Sequence, residues 1–168
     1  MGVEDSCAAS SASSFATTPS SHPCTPSIAA FTTTLMVRNI PTRFTSISFL
    51  RTLTECGFGD TFDFFYLPMD FRTGKNMGYC FLNFVHENFA SMFANIFHGT
   101  RLGLTTSMKV LHVSTSRRQG LRENVALFHN SELLSSFSLP FFKPFVRLPM
   151  FGPELVPLCE TSFSMIMG

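Results

Sequence analysis

The residues with the most evident chemistry are two aromatic rings, Tyr79 and Phe81, which stand two positions apart in a short apolar run. Successive side chains of a β-strand point to opposite faces, so both rings lie on one face, while Cys80, Leu82 and Phe84 lie on the other. Unpaired nucleobases stack on rings displayed in this way, and each stack is worth about 1–3 kcal/mol whatever the base. The spacing therefore predicts a platform for single-stranded nucleic acid. An ordinary buried strand is the alternative interpretation.

The surrounding octamer, residues 77–84 (MGYCFLNF), favours the platform. It matches a signature of RNA-binding strands at its glycine, at both rings and at its final phenylalanine. Met77 replaces the basic residue of that signature, so the phosphate contact is predicted to pass to Lys75 or Arg72 in the preceding loop. Asn83 shares the face of the two rings and is predicted to belong to the same surface.

A second run, residues 35–40 (LMVRNI), fits the companion motif of such strands, in which apolar residues alternate around an aromatic position and an asparagine follows. Met36 occupies the aromatic position, so a flexible apolar contact replaces one stacking ring. Arg38 lies two residues further along the same strand. We predict that Arg38 contacts a phosphate or a base; the alternative is a solvated surface arginine.

Two rings of another strand are candidates for the same surface. If Phe65 and Leu67 point toward the core, Phe64 and Tyr66 point toward the nucleic acid. Rings occur on both faces of this strand, so the opposite register stays open. The prediction is that two or three bases stack on Tyr79, on Phe81 and on either Phe64 or Tyr66.

The last strand and the residues after it supply further polar candidates. With Leu111 and Val113 facing inward, His112 faces outward beside Ser114. Arg117 and Arg118 follow the strand and are predicted to pair with phosphate or to stack on a base. A solvated chain end is the alternative interpretation for these two arginines.

The elements that must position these residues alternate between strand and helix patterns. Residues 34–40, 61–67, 78–84 and 109–114 are predicted strands. A helix capped by Thr45 is predicted before Gly57, and a second one is predicted over residues 87–97. The order β-α-β-β-α-β predicts an α+β, ferredoxin-like fold in residues 32–120, in which two helices cover one face of a four-stranded antiparallel sheet. The other face is then expected to be free.

Segments of different composition flank this domain. Residues 1–31 are rich in Ser, Thr, Ala and Pro and are predicted to be disordered, because they bury too little apolar surface. Residues 121–134 can form one further helix. Residues 135–168 contain five prolines in a Phe/Leu/Met-rich stretch, which forbid a continuous helix and predict an irregular extension. Loose packing, a protein-binding role and a poorly constrained extension all remain open for this tail.

Composition and charge exclude several classes of function. The net charge is only +1, but residues 32–120 hold nine basic and five acidic residues, an excess of +4 with the sign that phosphate binding requires. The five cysteines are scattered without zinc spacing, so neither a metal site nor a disulfide framework is expected. No apolar run reaches the roughly 18 residues of a membrane span, and no targeting segment is evident, so nucleus or cytoplasm is expected.

The arrangement of polar residues does not indicate an enzyme. The five histidines show no spacing with Cys, Ser or acidic residues that suggests a nucleophile and its base, and no phosphate-cradling GxxxxGK loop is present. The three carboxylates that flank a strand and its loop are more simply interpreted as turn and surface residues than as catalytic ones. They are Asp60, Asp63 and Asp70. We expect non-catalytic binding without a cofactor.

Five segments carry a more specific signal: residues 34–41 (TLMVRNIP) followed by Phe44 and Thr45, residues 63–71 (DFFYLPMDF), 76–83 (NMGYCFLN), 117–120 (RRQG) and 128–131 (FHNS). In these segments the chain resembles the C-terminal RNA recognition motif of Mei-two-like proteins. The resemblance implies an RNA recognition motif fold and an RNA-binding regulator of mRNA fate, in some members linked to meiosis or development.

The predicted function is thus the binding of single-stranded RNA. Its main rival is a domain of the same fold that binds proteins and whose RNA site has lapsed, since Met36 and Met77 weaken the RNA-binding motifs. In that case the Phe/Pro-rich tail is a candidate interaction segment.

Overall fold

The computed structural model describes residues 28–102, 107–134 and 139–168. It contains the four predicted strands, which lie side by side in one sheet. β1 (Thr34–Arg38) lies between β3 (Tyr79–Phe84) and β4 (His112–Thr115), and β2 (Phe62–Tyr66) pairs with the other side of β3. All of these pairs are antiparallel. The predicted α+β, ferredoxin-like order β-α-β-β-α-β is confirmed.

Two helices pack on one face of this sheet. α1 (Ser46–Glu55) begins at Thr45, whose hydroxyl accepts a hydrogen bond from the Ser48 N–H (3.2 Å) while the Ser48 hydroxyl accepts one from the Thr45 N–H (2.9 Å). This reciprocal cap satisfies two helix-end donors, and it confirms Thr45 as the capping residue. α2 (Glu87–Phe97) begins after His86, whose ring Nδ1 accepts from the Asn88 N–H.

The main core lies between these helices and the sheet. Phe49 of α1, Phe93 of α2, and Phe65 and Leu82 of the sheet are fully buried there. Each such side chain stabilises the fold by about 1.5–3 kcal/mol relative to an exposed one. Because Phe65 faces this core, Phe64 lies on the opposite face, as the predicted register required. A bulge between Phe62 and Phe64 lets Phe62 join the main core as well.

Residues 121–168 are here called the C-terminal extension, and their described part adds two strands and two helices. α3 (Leu121–Ala126) contacts β2, and α4 (Glu160–Met167) packs on α3. β5 (Phe145–Val146) pairs with β2, and β6 (Val156–Pro157) pairs with β5, so the sheet order is β4-β1-β3-β2-β5-β6. Three single turns of 3-10 helix, at Glu132–Leu134, Pro140–Phe142 and Pro149–Phe151, connect these elements. Two of the turns begin with proline, which the first turn of a helix tolerates.

A second core lies beneath the C-terminal extension, on the sheet face opposite α1 and α2. Phe64, Val125, Phe128, Val146 and Leu158 are all buried in it. The expectation that this face is entirely free is therefore wrong for its β2 side. The cause is the extension, whose apolar residues exclude water from the β2 side of that face.

The ends of the domain differ in detail from the sequence prediction. Of the tail predicted to be disordered, residues 1–27 lie outside the described residues, and Ile28 is partly buried against the main core. The fourth strand begins at His112, three residues later than predicted. α3 occupies the first six residues of the segment in which one helix was predicted. In the described part of the chain, no helix is both long and apolar enough to cross a membrane.

Candidate nucleic-acid interface

Tyr79 and Phe81 form the centre of the accessible part of the sheet. Both rings are half-buried, their centroids are 5.8 Å apart and their planes are nearly perpendicular, at 80°. Their positions depend on Gly78, whose φ of +84° is a conformation that side chains other than glycine rarely adopt. The Gly78 carbonyl accepts from the Ile40 N–H (3.0 Å), which joins the start of β3 to the end of β1. Gly78, the glycine of the octamer, thus fixes where β3, the strand that carries both rings, begins beside β1.

Met36 and Arg38 lie directly beside these rings on β1. Met36 is paired with Phe81 and Arg38 with Tyr79 across the β1–β3 ladder. Arg38 is exposed, and its Nε lies 3.3 Å from the Met36 sulfur. The other neighbour of Arg38 is His112 of β4, which is also exposed. These residues and the two rings form a continuous surface across β4, β1 and β3, which we call the open platform.

Two arginines follow the open platform at the end of β4. Arg117 and Arg118 are both exposed, and Arg118 forms an ion pair with Glu123 at 3.6 Å. Both partners of that pair are largely in solvent, so the pair is worth at most about 1 kcal/mol and a phosphate can displace it. Beyond this pair and that of Arg147 with Asp60, no ion pair joins the described residues.

Phe64 and Tyr66 point toward the same face but are covered by the C-terminal extension. Phe64 is only 1% exposed, with its ring 6.4 Å from that of Phe128. Tyr66 is half-buried and meets Phe128 edge to face at 5.0 Å. This burial corrects the prediction that Phe64 is an accessible stacking ring, because a base reaches the ring only if α3 and its neighbours move away. Burial also raises the pKa of the Tyr66 phenol.

Asn83 lies on the predicted face but is committed to the interior. Its Oδ1 accepts from the Thr34 hydroxyl (2.7 Å), and its Nδ2 donates to Asp63 Oδ1 (2.7 Å). Asn83 is 3% exposed, which corrects the prediction that it belongs to the accessible RNA-binding surface. Asp63 is half-buried, and this burial raises the pKa of its carboxyl although the Asn83 amide stabilises the charged form.

Lys75 is exposed in the loop between β2 and β3, four residues before Tyr79. Asp70 organises this loop by accepting hydrogen bonds from the Arg72 N–H (2.9 Å) and the Thr73 hydroxyl (2.8 Å). These two bonds, the Thr73 bond first, hold the pKa of the Asp70 carboxyl below its usual value. The loop therefore offers a positive charge near the start of β3 but does not place it on the open platform.

Sequence reasoning missed part of the surface beside the open platform. Asn124 and Leu127, from α3 and its C-terminal end, line a pocket together with Thr115, the last residue of β4, and Ser116, which follows it. The available signal was the apolar spacing of Leu121, Val125 and Phe128 directly after the RRQG segment. That spacing is typical of a helix with one buried face. It does not reveal which face of the sheet the helix covers.

The described residues offer no evident site for a metal ion. No group of three or more His, Cys, Asp or Glu side chains within the described ranges is arranged to hold one. The described cysteines, Cys56, Cys80 and Cys159, are free thiols. Cys80 is buried in the main core, and this burial raises the pKa of its thiol far above the usual value.

Comparison with known proteins gives a consistent result. The sequence model of the family described as RNA recognition motif 2 matches residues 32–129. The chain is similar to Protein MEI2-like 5 of Oryza sativa subsp. japonica, with 39% identity over 103 residues, and to Protein MEI2-like 3 of Arabidopsis thaliana, with 38% identity over the same length. Each match covers 61% of this chain and 13% of the relative, so the chain spans about an eighth of the length of these curated relatives.

Solved structures of similar fold include the Rna15 RRM with bound RNA (GU), with a TM-score of 0.45 and 23% identity, covering 58% of this chain and 96% of that one. Another is a structure of Sex-lethal RNA recognition domains 1 and 2 from Drosophila melanogaster, with a TM-score of 0.42 and 24% identity, covering 51% of this chain and 50% of that one.

Proposed function

From the fact that the chain belongs to the RNA recognition motif 2 family, matched over residues 32–129, we propose that it binds single-stranded RNA and catalyses no reaction on it. The observation that carries the proposal is the open platform. Tyr79 and Phe81 are accessible there beside the exposed guanidinium of Arg38. Rings next to cationic groups are what an unpaired, negatively charged strand requires.

Stacking supplies the base contacts in this proposal. One base stacks on Tyr79 and the next on Phe81, and Met36 makes an apolar contact where an aromatic ring would otherwise stack. Tyr66 contributes only at its accessible edge, because the C-terminal extension covers the rest of that side. The platform is therefore proposed to hold fewer bases than a sheet whose face is entirely open.

Phosphate contacts come from the basic residues around the platform. Arg38, Arg117 and Arg118 are exposed on or beside it, and His112 lies next to Arg38. Lys75 lies in the loop four residues before β3. Phosphate contacts release counterions, so binding to a single strand must weaken as salt rises, by about 0.7 in the logarithmic slope per neutralised phosphate.

The similarity to MEI2-like proteins leads us to propose a wider role as well. We propose a regulator of mRNA that acts in the nucleus or the cytoplasm. Ultraviolet crosslinking of the tagged chain in cells, followed by RNA sequencing from separated nuclear and cytoplasmic fractions, tests this role. Crosslinks confined to ribosomal or transfer RNA would contradict it.

The rival function is protein binding by the same fold. Coverage of the β2 side of the sheet and the presence of Met36 in place of a ring favour this rival. The C-terminal tail, by contrast, already contacts its own domain through β5, β6 and α4. A partner that uses the tail must therefore bind the residues that remain exposed, such as Phe141, Met150 and Phe151.

The deciding experiment measures fluorescence anisotropy of a pool of labelled eight-nucleotide single-stranded RNAs with the full chain at two salt concentrations. Tyr79→Ala combined with Phe81→Ala removes two stacks, so affinity is expected to fall by at least about 25-fold. The matched control is Ile47→Ala combined with Met92→Ala, two exposed apolar residues on α1 and α2, which should leave affinity unchanged.

Circular dichroism and urea unfolding establish that both double variants keep the fold. Salt-sensitive binding that only the Tyr79/Phe81 variant loses would support the open platform. Equal losses in the two double variants, binding that salt does not weaken, or no binding by the folded wild-type chain would each contradict the proposed function.

A further inference from the structure

A pocket of about 360 Å³ lies where α3 meets the open platform. Phe81 and Met36 of the sheet and Leu127 at the end of α3 provide its apolar walls. Thr115, Ser116 and Asn124 add hydroxyl and amide groups. The remaining lining residues are arginines: Arg38, Arg117 and Arg118. The volume lies in the range typical of small-molecule sites in proteins.

The α3 wall of this pocket is anchored in the fold. Asn124 Nδ2 donates to the Thr34 hydroxyl (3.0 Å), and the same oxygen accepts from the Gly120 N–H (3.0 Å). Asn124 is 2% exposed and also donates to the Gly120 carbonyl (2.7 Å). Val125, fully buried in the second core, attaches the next residue of α3 to the domain. The pocket is thus preformed, which reduces the entropy lost when a ligand binds.

The lining matches the parts of one nucleotide. A nucleobase has two apolar π-faces, which suit Phe81 on one side and an aliphatic side chain such as Leu127 on another. Its edge carries donors and acceptors that the hydroxyl groups of Thr115 and Ser116 can satisfy. The phosphate that follows the base carries a negative charge, and neither Arg38 nor Arg117 has an ion-pair partner among the described residues.

We propose that this pocket holds one nucleobase of the bound RNA strand, enclosed between β3 and the end of α3. The inference rests on the proposed function and refines it. The base in the pocket is contacted on its faces by Phe81 and Leu127 and at its edge by the hydroxyl groups of Thr115 and Ser116. A base on Tyr79 is contacted on one face, so the pocket position is read more strictly than its neighbour.

The first measurement is a nuclear magnetic resonance titration of the full chain. The probes are oligouridylate and oligoadenylate of eight nucleotides, and an abasic eight-mer that has the same phosphates but no bases. The Leu127 methyl resonances and the Asn124 side-chain amide are expected to shift with at least one of the base-bearing strands and to stay in place with the abasic strand.

The second measurement is the affinity of a variant of the pocket wall. Leu127 is 53% exposed, so Leu127→Ala should leave folding intact while it removes an apolar contact with the base. Affinity for the strand that shifts the Leu127 methyls is expected to fall by roughly 3- to 10-fold, and affinity for the abasic strand should not change. Met165→Ala, at a residue of α4 that is 48% exposed, is the matched control and should change neither affinity.

The outcomes separate this inference from the proposed function. Salt-sensitive binding that perturbs Tyr79 and Phe81 but leaves Leu127 and Asn124 unmoved would overturn the pocket and leave the platform intact. An equal effect of Leu127→Ala on base-bearing and abasic strands would also overturn it. Failure of every eight-mer to bind the folded chain would remove both proposals.

Discussion

At the scale of single residues, one hydroxyl joins three parts of the fold. Thr34 Oγ1 donates to Asn83 Oδ1 on β3 and accepts from the Gly120 N–H and from Asn124 Nδ2 at the start of α3. Thr34 is fully buried. Because a buried polar group without a partner costs about 1–3 kcal/mol, the three partners depend on this one oxygen.

We therefore expect Thr34→Val to lower the free energy of unfolding by about 2–4 kcal/mol, because a methyl group of similar size replaces the shared oxygen. Urea unfolding of the full chain measures this loss. Thr54→Val is the matched control, since the exposed Thr54 hydroxyl donates only to the Leu50 carbonyl of its own helix. The control should cost less than about 0.5 kcal/mol. Similar losses in both variants would contradict the role of Thr34.

Asp63 gives a prediction about pH. Burial raises its pKa above the ordinary value of 3.8, so the folded chain holds this proton more tightly than the unfolded chain does. The contribution of Asp63 to stability is therefore present below pH 3.8 and is lost as pH rises through the pKa of the folded state. Asp63→Asn removes the charge and keeps an oxygen that accepts from Asn83. The variant should thus gain stability relative to wild type as pH rises above 3.8, until Asp63 of the folded wild type is ionised.

Asp70→Asn is the contrasting control for this measurement. Hydrogen bonds from the Thr73 hydroxyl and the Arg72 N–H lower the pKa of the Asp70 carboxyl, so its contribution is present above 3.8 and is lost as pH falls. Relative to wild type, this variant should lose stability as pH rises. Urea unfolding at three pH values gives both trends. A pH trend of the same sign in the two variants would refute the assignment for Asp63.

At the scale of elements, α3 decides which part of the sheet is accessible. The connection from β4 is fixed by Gln119, whose Oε1 accepts from the N–H groups of Thr33 (2.9 Å) and Thr34 (2.8 Å). Its Nε2 donates to the carbonyls of Thr34 (3.0 Å) and Ser116 (2.7 Å). The side chain thus continues the β1 hydrogen bonds where β4 ends. α3 then starts at a defined place and brings Phe128 over Phe64 and Tyr66.

Phe128→Ala is expected to lower the free energy of unfolding by about 3–5 kcal/mol, since the ring is buried and its removal leaves a cavity in the second core. Urea unfolding monitored by circular dichroism provides the value. Phe31→Ala, at a ring that is 83% exposed, is the control and should change stability little. If the two alanine variants unfold at the same urea concentration, α3 does not hold the second core together.

At the scale of the whole molecule, the C-terminal extension completes both a sheet edge and a core. β5 occupies the free edge of β2, where Phe64 is paired with Val146 and Phe65 with Phe145. Arg147 adds an ion pair with Asp60 at 2.8 Å beside this edge. An uncovered strand edge with apolar residues beside it promotes association with other chains.

Ending the chain after Leu134 removes β5, β6 and α4. This truncated form should unfold at a lower urea concentration than the full chain and should self-associate, because it exposes the edge of β2 and the part of the second core that packs against β5, β6 and α4. Sedimentation velocity at several protein concentrations tests the association. A truncated chain that stays monomeric and unfolds at the same urea concentration would show that the extension does not protect the sheet.

Local patterns in the sequence were sufficient for the main fold and for much of the open platform. The alternation in β3 and β1 places Tyr79, Phe81, Met36 and Arg38 on one face, because the period of a strand is two residues and the opposite face must be apolar. Thr45 caps α1 through contacts within four residues. The orientation of Phe64 agrees with the favoured register, but rings on both faces of β2 had left the opposite register open, and only the fold decided between them.

Tertiary structure alone decided what covers Phe64 and what surrounds Phe81. β5 has two residues, too few to show a period, and its residues pair with residues of β2 that lie 80 and 82 positions earlier in the chain. Asn83 has the sequence position of a surface residue, but its partners Thr34 and Asp63 lie on other strands. The pocket beside α3 likewise joins residues that only folding brings together. A local pattern records which face a side chain takes, whereas burial depends on whatever distant segment packs against that face.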